Sequence, residues 1–389
     1  MSPRPRPLLR KALASWLVAW MAFSPLGAAR AASTDLADSP TFATKKAPPN
    51  LMLDLSVEWP TGVVAGYNDN YVDPATPGNT GYGCAGRDSN KYGVCYFDSR
   101  TYLGYFDPMK CYDYVGTPGT SSTAPSAGGY FTPAAAGSGT YGHQCTNKWS
   151  GNFLNWATMQ AIDEFRWTMT GGDRWVDTAT QTIIEKARHS GQGGYDQFPI
   201  KRLSSSNYSG NGQNDKAPAP SGSPSVTVPG VSPSTVAVLP TSSSTLHARV
   251  HDGSVSGNGN PPTGPFFINF YNSTWNGPQL QVDCNDSFSG SCLRTYYARV
   301  EVCKSGMLEG NCWQYGSSWK PTGLIQQNAD RMRFGVFGYL LDSDPGRAGG
   351  VMRAKMKDIG PTMVNSGTPG TANARREFSA ADGTYVANP

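Results

Sequence analysis

The chain has 389 residues with 32 basic and 28 acidic side chains, a formal net charge of +4, 45 glycines and an 11% aromatic share. Five of the basic residues (Arg4, Arg6, Arg10, Lys11 and Arg30) and no acidic one fall in the first 31 positions, which leaves 27 basic against 28 acidic residues beyond them. A chain so balanced, with no basic run in that part, excludes nucleic acid as an expected partner, and its Gly, Ser, Thr and Asn content suits a loop-rich extracellular protein.

In chain order, a basic start precedes an apolar run from Ala12 to Phe23, and Ala29-Arg30-Ala31 fits a small-residue cleavage site. Residues 1–31 therefore read as a secretory signal, and the run is shorter than the roughly twenty residues a bilayer span needs. No later segment is long and apolar enough to span, so no transmembrane segment is expected after cleavage. Residues 32–47 form a tail, and residues 48–389 form the folded part.

The run LMLDLS after Pro48-Pro49-Asn50 is predicted as a buried strand with Asp54 and Ser56 at its carboxyl end. Residues 60–148, rich in Gly, Tyr and Pro, read as a stapled insertion without regular elements. From Asn152, an apolar stripe of Phe153, Ala157, Ala161, Phe165 and Met169 recurs every fourth residue. It predicts one amphipathic helix, capped by Asn152 and stopped by Gly171-Gly172. A second helix is predicted from Asp177 through Ile183, Ile184 and Ala187 to Gly191.

Residues 204–262 shift to Ser, Pro, Gly, Asn and Thr and read as a linker. Strands are predicted at Phe266–Tyr271 and Tyr296–Cys303, a helix from Pro321 to about Asp330, and a strand over Arg331–Leu341 ending at Asp342. Alternating helices and strands favour an α/β sheet flanked by helices.

All eight cysteines (Cys84, Cys95, Cys111, Cys145, Cys284, Cys292, Cys303 and Cys312) follow the signal and split four and four across the linker. An even count in an exported chain reads as disulfides, while zinc binding lacks the close paired C-x-x-C spacing it needs. Confining bonds to each cluster leaves about nine of the 105 pairings, with Cys284–Cys292 and Cys303–Cys312 as local candidates.

Other chemistry is sparse. His247 and His251 stand four apart beside the linker without an H-E-x-x-H pattern, and His189 suits the last turn of a helix. Neither a G-x-S-x-G elbow, a Walker loop nor a dinucleotide fingerprint occurs; pieces such as Gly137-Ser138-Gly139 read as turns. Tyr102, Tyr105, Phe106, Tyr112 and Tyr114 beside Cys111 read as a stapled core, with ligand binding as the alternative. Asp163 and Glu164 offer carboxylates for glycoside hydrolysis, but neighbours on a helix diverge by about 100°, a poor geometry for flanking one bond. The chain is expected to act by binding and not as an enzyme.

Four segments carry a family resemblance: YFDPMKCYDY (Tyr105–Tyr114), WSGNFLNWATMQAIDEFRWTMTGG (Trp149–Gly172), KPTGLIQQNADRMRFGVFGYLLDSD (Lys320–Asp344) and GGVMRAKM (Gly349–Met356). Through these the chain resembles the PilY family of type IV pilus biogenesis factors and tip adhesins, discontinuously over residues 47–58, 105–188 and 296–389. The resemblance implies a von Willebrand factor A-like domain in which a D-x-S-x-S loop helps bind a divalent cation, Mg²⁺ or Ca²⁺. Here Asp54 and Ser56 match that loop, Glu58 replaces its second serine, and Asp342 stands where a further ligand is expected. In open α/β sheets such ligands gather at strand carboxyl ends. Carboxylate and hydroxyl oxygens suit a hard cation; a carboxylate capping the strand-to-loop turn is the competing reading of Asp54.

The resemblance further implies roles in pilus biogenesis, twitching motility and surface attachment, with minor pilins or other pilus components as partners and a location in the periplasm, at the outer surface or on the pilus. An extracellular adhesive module for a host or matrix ligand, without a part in assembly, is the alternative. The family's C-terminal β-propeller and its calcium loop have no counterpart here, so the chain reads as a fragment or as a free-standing module.

Overall fold

The computed structural model describes residues 48–55, 66–67, 92–93, 100–119, 123–146, 148–187, 200–203, 208–210, 213–215, 245–251, 267–273, 292–339, 349–364 and 368–386. Residues 1–47 fall outside this set, and with them the expected signal and tail. The first elements are β1 (Asn50–Leu55), β2 (Tyr92–Gly93), β3 (Lys110–Val115), β4 (Tyr130–Ala136), β5 (Trp149–Ser150), α1 (Gly151–Thr158), α2 (Ala161–Thr170), β6 (Asp173–Asp177) and β7 (Thr182–Glu185). After them come β8 (Ile200–Leu203), β9 (Tyr208–Gly210), β10 (Gln213–Asp215), β11 (Thr245–His251), β12 (Phe267–Ser273) and β13 (Cys292–Tyr297). The last are β14 (Arg299–Val302), β15 (Cys312–Tyr315), β16 (Ser318–Pro321), α3 (Leu324–Gln327), β17 (Arg333–Tyr339) and β18 (Gly350–Lys357).

The class is mixed α/β, as expected, with more strand and less helix than the periodicity suggested. A six-stranded sheet runs β5-β3-β4-β14-β7-β6, a five-stranded sheet β13-β12-β11-β8-β2, and a three-stranded sheet β1-β17-β18. β1 pairs in parallel with β17, Asp54 opposite Phe337, and β18 returns antiparallel.

The core lies between α1 and the six-stranded sheet. Phe131, Tyr112, Val300 and Ile184 from the sheet meet Phe153, Leu154, Trp156 and Ala157 from α1, with Trp149 and Tyr296 between them. Edge-to-face contacts order the rings, with centroids 5.2 Å apart for Phe106–Tyr112 and 5.3 Å for Trp149–Tyr296. Such pairs add directionality to an otherwise undirected burial of apolar area.

Four sequence readings are corrected. The single long helix is two, because Met159 is extended and the Asp163 carboxylate accepts the Gln160 N–H at 3.0 Å, capping a new helix. Ser150, not Asn152, caps the first, its hydroxyl accepting from Phe153 N at 3.3 Å, and Phe165 of the supposed buried stripe is exposed. Gly171 does close α2, at φ +81°.

Secondly, the helix expected over 177–191 is the β6–β7 hairpin in its described part. Thr178 turns the chain by accepting from Gln181 N at 3.1 Å, and the β-branched Thr182, Ile183 and Ile184 suit the buried strand that follows. Thirdly, the supposedly irregular 60–148 segment supplies β3 and β4, interior strands of the largest sheet. Fourthly, Pro321 ends β16 opposite Cys312, and the helix expected after it is the short α3.

Smaller differences follow. Strand β1 forms where expected, yet Leu51 and Met52 are exposed. Residues 245–251, inside the Ser/Pro-rich stretch, form β11 between β12 and β8. The C-terminal segment is held by Asp177, which accepts Tyr385 N at 2.8 Å, Arg174 at 2.9 Å and Lys320 at 2.7 Å. Arg174 also stacks 3.9 Å from the Tyr385 ring centroid.

Candidate functional site

Of the two local disulfide candidates, Cys303–Cys312 forms; Cys111–Cys145 is one of the pairings left open within the first cluster, and among the described residues no cysteine is free. Cys84, Cys95 and Cys284 lie outside the described residues, as does the side chain of Cys292. The first staple closes a loop around Gly137-Ser138-Gly139, where Ser138 pairs with Gln144 and Gly142 N donates to Gly139 O at 3.2 Å, the turn expected of those glycines.

Lys110 joins the two stapled loops. Its ammonium donates to Met307 O at 2.7 Å and pairs with Glu309 at 3.0 Å and Asp107 at 3.1 Å. Glu309 also accepts the Cys303 N–H at 2.6 Å, at a residue held in the left-handed region with φ +54°. Burial pushes the Glu309 carboxyl up from its ordinary 4.5, against the opposing pull of Lys110. Around these loops Met109, Tyr141 and Leu308 stay exposed. The result is a rim of two cross-tied loops that carries exposed apolar side chains.

No sequence spacing could reveal this pairing, since Lys110 and Glu309 stand 199 positions apart. The Cys303, Glu309 and Cys312 donors lie within 4.8 Å of one another, but the two sulfurs are bonded to each other and offer no thiolate to a metal.

Of the expected cation ligands, Asp54 is described: it is exposed near the carboxyl end of β1. Ser56, Glu58 and Asp342 lie outside the described residues. The parallel pairing of β1 with β17 does bring the two strand ends expected to carry them to one edge. One exposed carboxylate does not itself define a cation site.

The aromatic group beside Cys111 is core: Tyr102, Tyr105, Phe106 and Tyr112 are all buried. Asp163 is wholly buried and paired with Lys186, so it is not one of two carboxylates facing a cleft. His247 and His251 lie on β11 opposite Tyr271 and Phe267, and His189 is outside the described residues. Sequence reasoning also missed an aromatic and cationic stack: the buried Arg299 lies 3.8 Å from the ring centroid of the exposed Trp175 and 4.6 Å from that of Tyr297, while donating to Glu185 at 3.1 Å. Among the described residues no helix is long and apolar enough to cross a membrane.

With this geometry in place, known proteins give a consistent relation. Residues 93–217 match the family model described as PilY1 homolog, small alpha/beta domain. Over 366 residues, 92% of this chain, the sequence is 29% identical to a type IV pilus biogenesis factor PilY1 homolog of Xylella fastidiosa, of which it covers 25%. A second PilY1 homolog of the same organism is 29% identical over 259 residues, 61% of this chain and 15% of that relative. The chain thus spans a quarter or less of the curated relatives it matches. No solved structure matches. These similarities bear out the resemblance to the PilY family of type IV pilus biogenesis factors.

Proposed function

We propose that the chain is an exported, type IV pilus-associated binding factor that supports pilus biogenesis, twitching motility and surface attachment by gripping minor pilins, without catalytic turnover. The observation that carries this reading is the rim of two disulfide-closed loops tied through Lys110, which holds Met109, Tyr141 and Leu308 in the open. A preorganised apolar surface loses little entropy on association. Disulfides of this kind suit an oxidising compartment outside the cytosol, and the relatives' description as type IV pilus biogenesis factors supports the pilus assignment.

On this reading the sheet that contains β1 and β17 is von Willebrand factor A-like. Asp54, Ser56, Glu58 and Asp342 would then supply oxygens to Mg²⁺ or Ca²⁺.

The test is binding of purified minor pilins to the wild type and to Met109→Glu and Leu308→Glu, with gene deletion scored for pili and attachment. The charged variants are expected to bind at least about tenfold more weakly at unchanged stability, the loss of about 1.4 kcal/mol of contact energy. Unchanged binding by both variants sinks the rim assignment. Loss of attachment with normal pili favours the alternative, an adhesive module for a host or matrix ligand.

A further inference from the structure

The least ordinary chemistry in the molecule lies away from this rim, at the break between the two helices. Lys186, just after β7, touches the carboxylate of Asp163 in the first turn of α2, with side chains 2% and 0% exposed. Backbone groups complete the arrangement. Ala187 N donates to Asp163 Oδ1 at 2.8 Å, Gln160 N donates to Oδ2 at 3.0 Å, and Lys186 Nζ donates to Thr158 O at 3.0 Å. Tyr105 is also buried near this carboxyl; its hydroxyl makes no hydrogen bond among the described residues, and burial keeps its phenol protonated.

We propose that Lys186 and Asp163 join in an intramolecular isopeptide bond, formed by the folded chain without a cofactor and covalently linking α2 to the end of β7.

The reasons are energetic and geometric. An ion pair removed from water forfeits much of its Coulombic gain to desolvation. Burial accordingly pushes the Lys186 amine down from its ordinary 10.5, against the pull of Asp163, which favours the neutral nucleophile. Within the pair, one proton passes from the ammonium to the carboxylate, leaving an amine facing a carboxylic acid. Nζ then attacks Cγ; the Cγ–Nζ bond forms, and the Ala187 N–H stabilises charge developing on Oδ1. The Cγ–Oδ2 bond breaks beside the Gln160 N–H. Oδ2 departs as water with the acid's proton and one from the amine. The remaining amide N–H keeps Thr158 O as acceptor. No oxidant or reductant enters. Holding the reactive atoms in contact supplies the proximity that makes an unactivated amine and acid react.

The experiment is mass spectrometry of the full chain purified from an oxidising compartment, reduced and denatured. We expect a mass one water below that of the reduced sequence. After trypsin, the peptide Trp149–Arg166 should be joined to Trp175–Arg188, because acylated Lys186 is no longer cleaved. Lys186→Met should recover the full mass, and Asp163→Asn should lose ammonia at the same pair. Recovery of Trp149–Arg166 and Trp175–Lys186 as separate peptides from folded wild-type protein overturns the proposal and leaves an ordinary buried ion pair. A water deficit persisting in Lys186→Met overturns it as well, and both readings hold whether or not a variant folds.

Discussion

Asn155 shows how much one buried amide can organise. Its side chain accepts from Phe106 N at 3.0 Å and donates to Tyr102 O and Phe106 O, each at 2.7 Å. One turn earlier, Asn152 accepts from Tyr102 N at 2.7 Å and donates to Arg100 O at 2.9 Å. Together they replace the strand partners that the 100–106 segment lacks, satisfying backbone groups that burial would otherwise leave bare. Asn155→Ala should therefore cost about 3 kcal/mol, read as a lower midpoint in urea unfolding at unchanged slope. From sequence Asn152 reads as a cap because short polar side chains favour helix starts; only the packed loop offers it better partners. Glu309 gives a pH signature. Its raised folded value means that the native state holds the proton more tightly than the unfolded chain does. Its contribution is thus greatest in acid and is lost as pH rises from the unfolded value through the folded one. Glu309→Gln should flatten that part of a stability profile taken upward from about pH 4.

At the scale of elements, boundaries are set where local preference and tertiary contact agree. Gly171 combines a left-handed φ with a site where a Cβ would sit 2.7 Å from the Pro321 carbonyl carbon. Gly171→Ala should cost about 1–3 kcal/mol from backbone strain and from pushing α2 off β16, measurable by thermal unfolding. The two staples close loops of different length, with separations of 34 and 9 residues. Chain entropy predicts losses of about 4 kcal/mol for Cys111→Ala/Cys145→Ala and about 2.5 kcal/mol for Cys303→Ala/Cys312→Ala. The β6–β7 hairpin marks where periodicity misleads: Ile183, Ile184 and Ala187 fit a helical face, but β-branched residues and the Thr178–Gln181 turn favour a strand lying between β14 and β6. The break after Thr158 is likewise illegible, since the partners of Asp163, Lys186 and Ala187, come from beyond the next hairpin.

Across the whole molecule, distant segments are joined by a few charged groups in sparse regular structure. Lys110 ties the two disulfide loops, and Asp177 gathers Arg174, Lys320 and the Tyr385 amide. Because Lys110 touches both loops, removing both disulfides should depart from additivity by about 0.5 kcal/mol or more in a double-mutant cycle. Strict additivity would mean that the loops are energetically separate.

The sequence by itself determined the mixed α/β class, the use of cysteines as disulfides among the described residues, the strands around β1, β12 and β17, and the family likeness, whereas the one strand expected over Tyr296–Cys303 is divided at Ala298 between β13 and β14 of two different sheets. These rest on local composition, short-range alternation and unbroken strings of residues. Tertiary structure alone decided which cysteines among the described residues pair, that β3 and β4 belong inside the main sheet, and that Lys186 meets Asp163 and Lys110 meets Glu309. Contacts between residues far apart in the chain are selected by burial and shape, and neither has a signature in residue spacing.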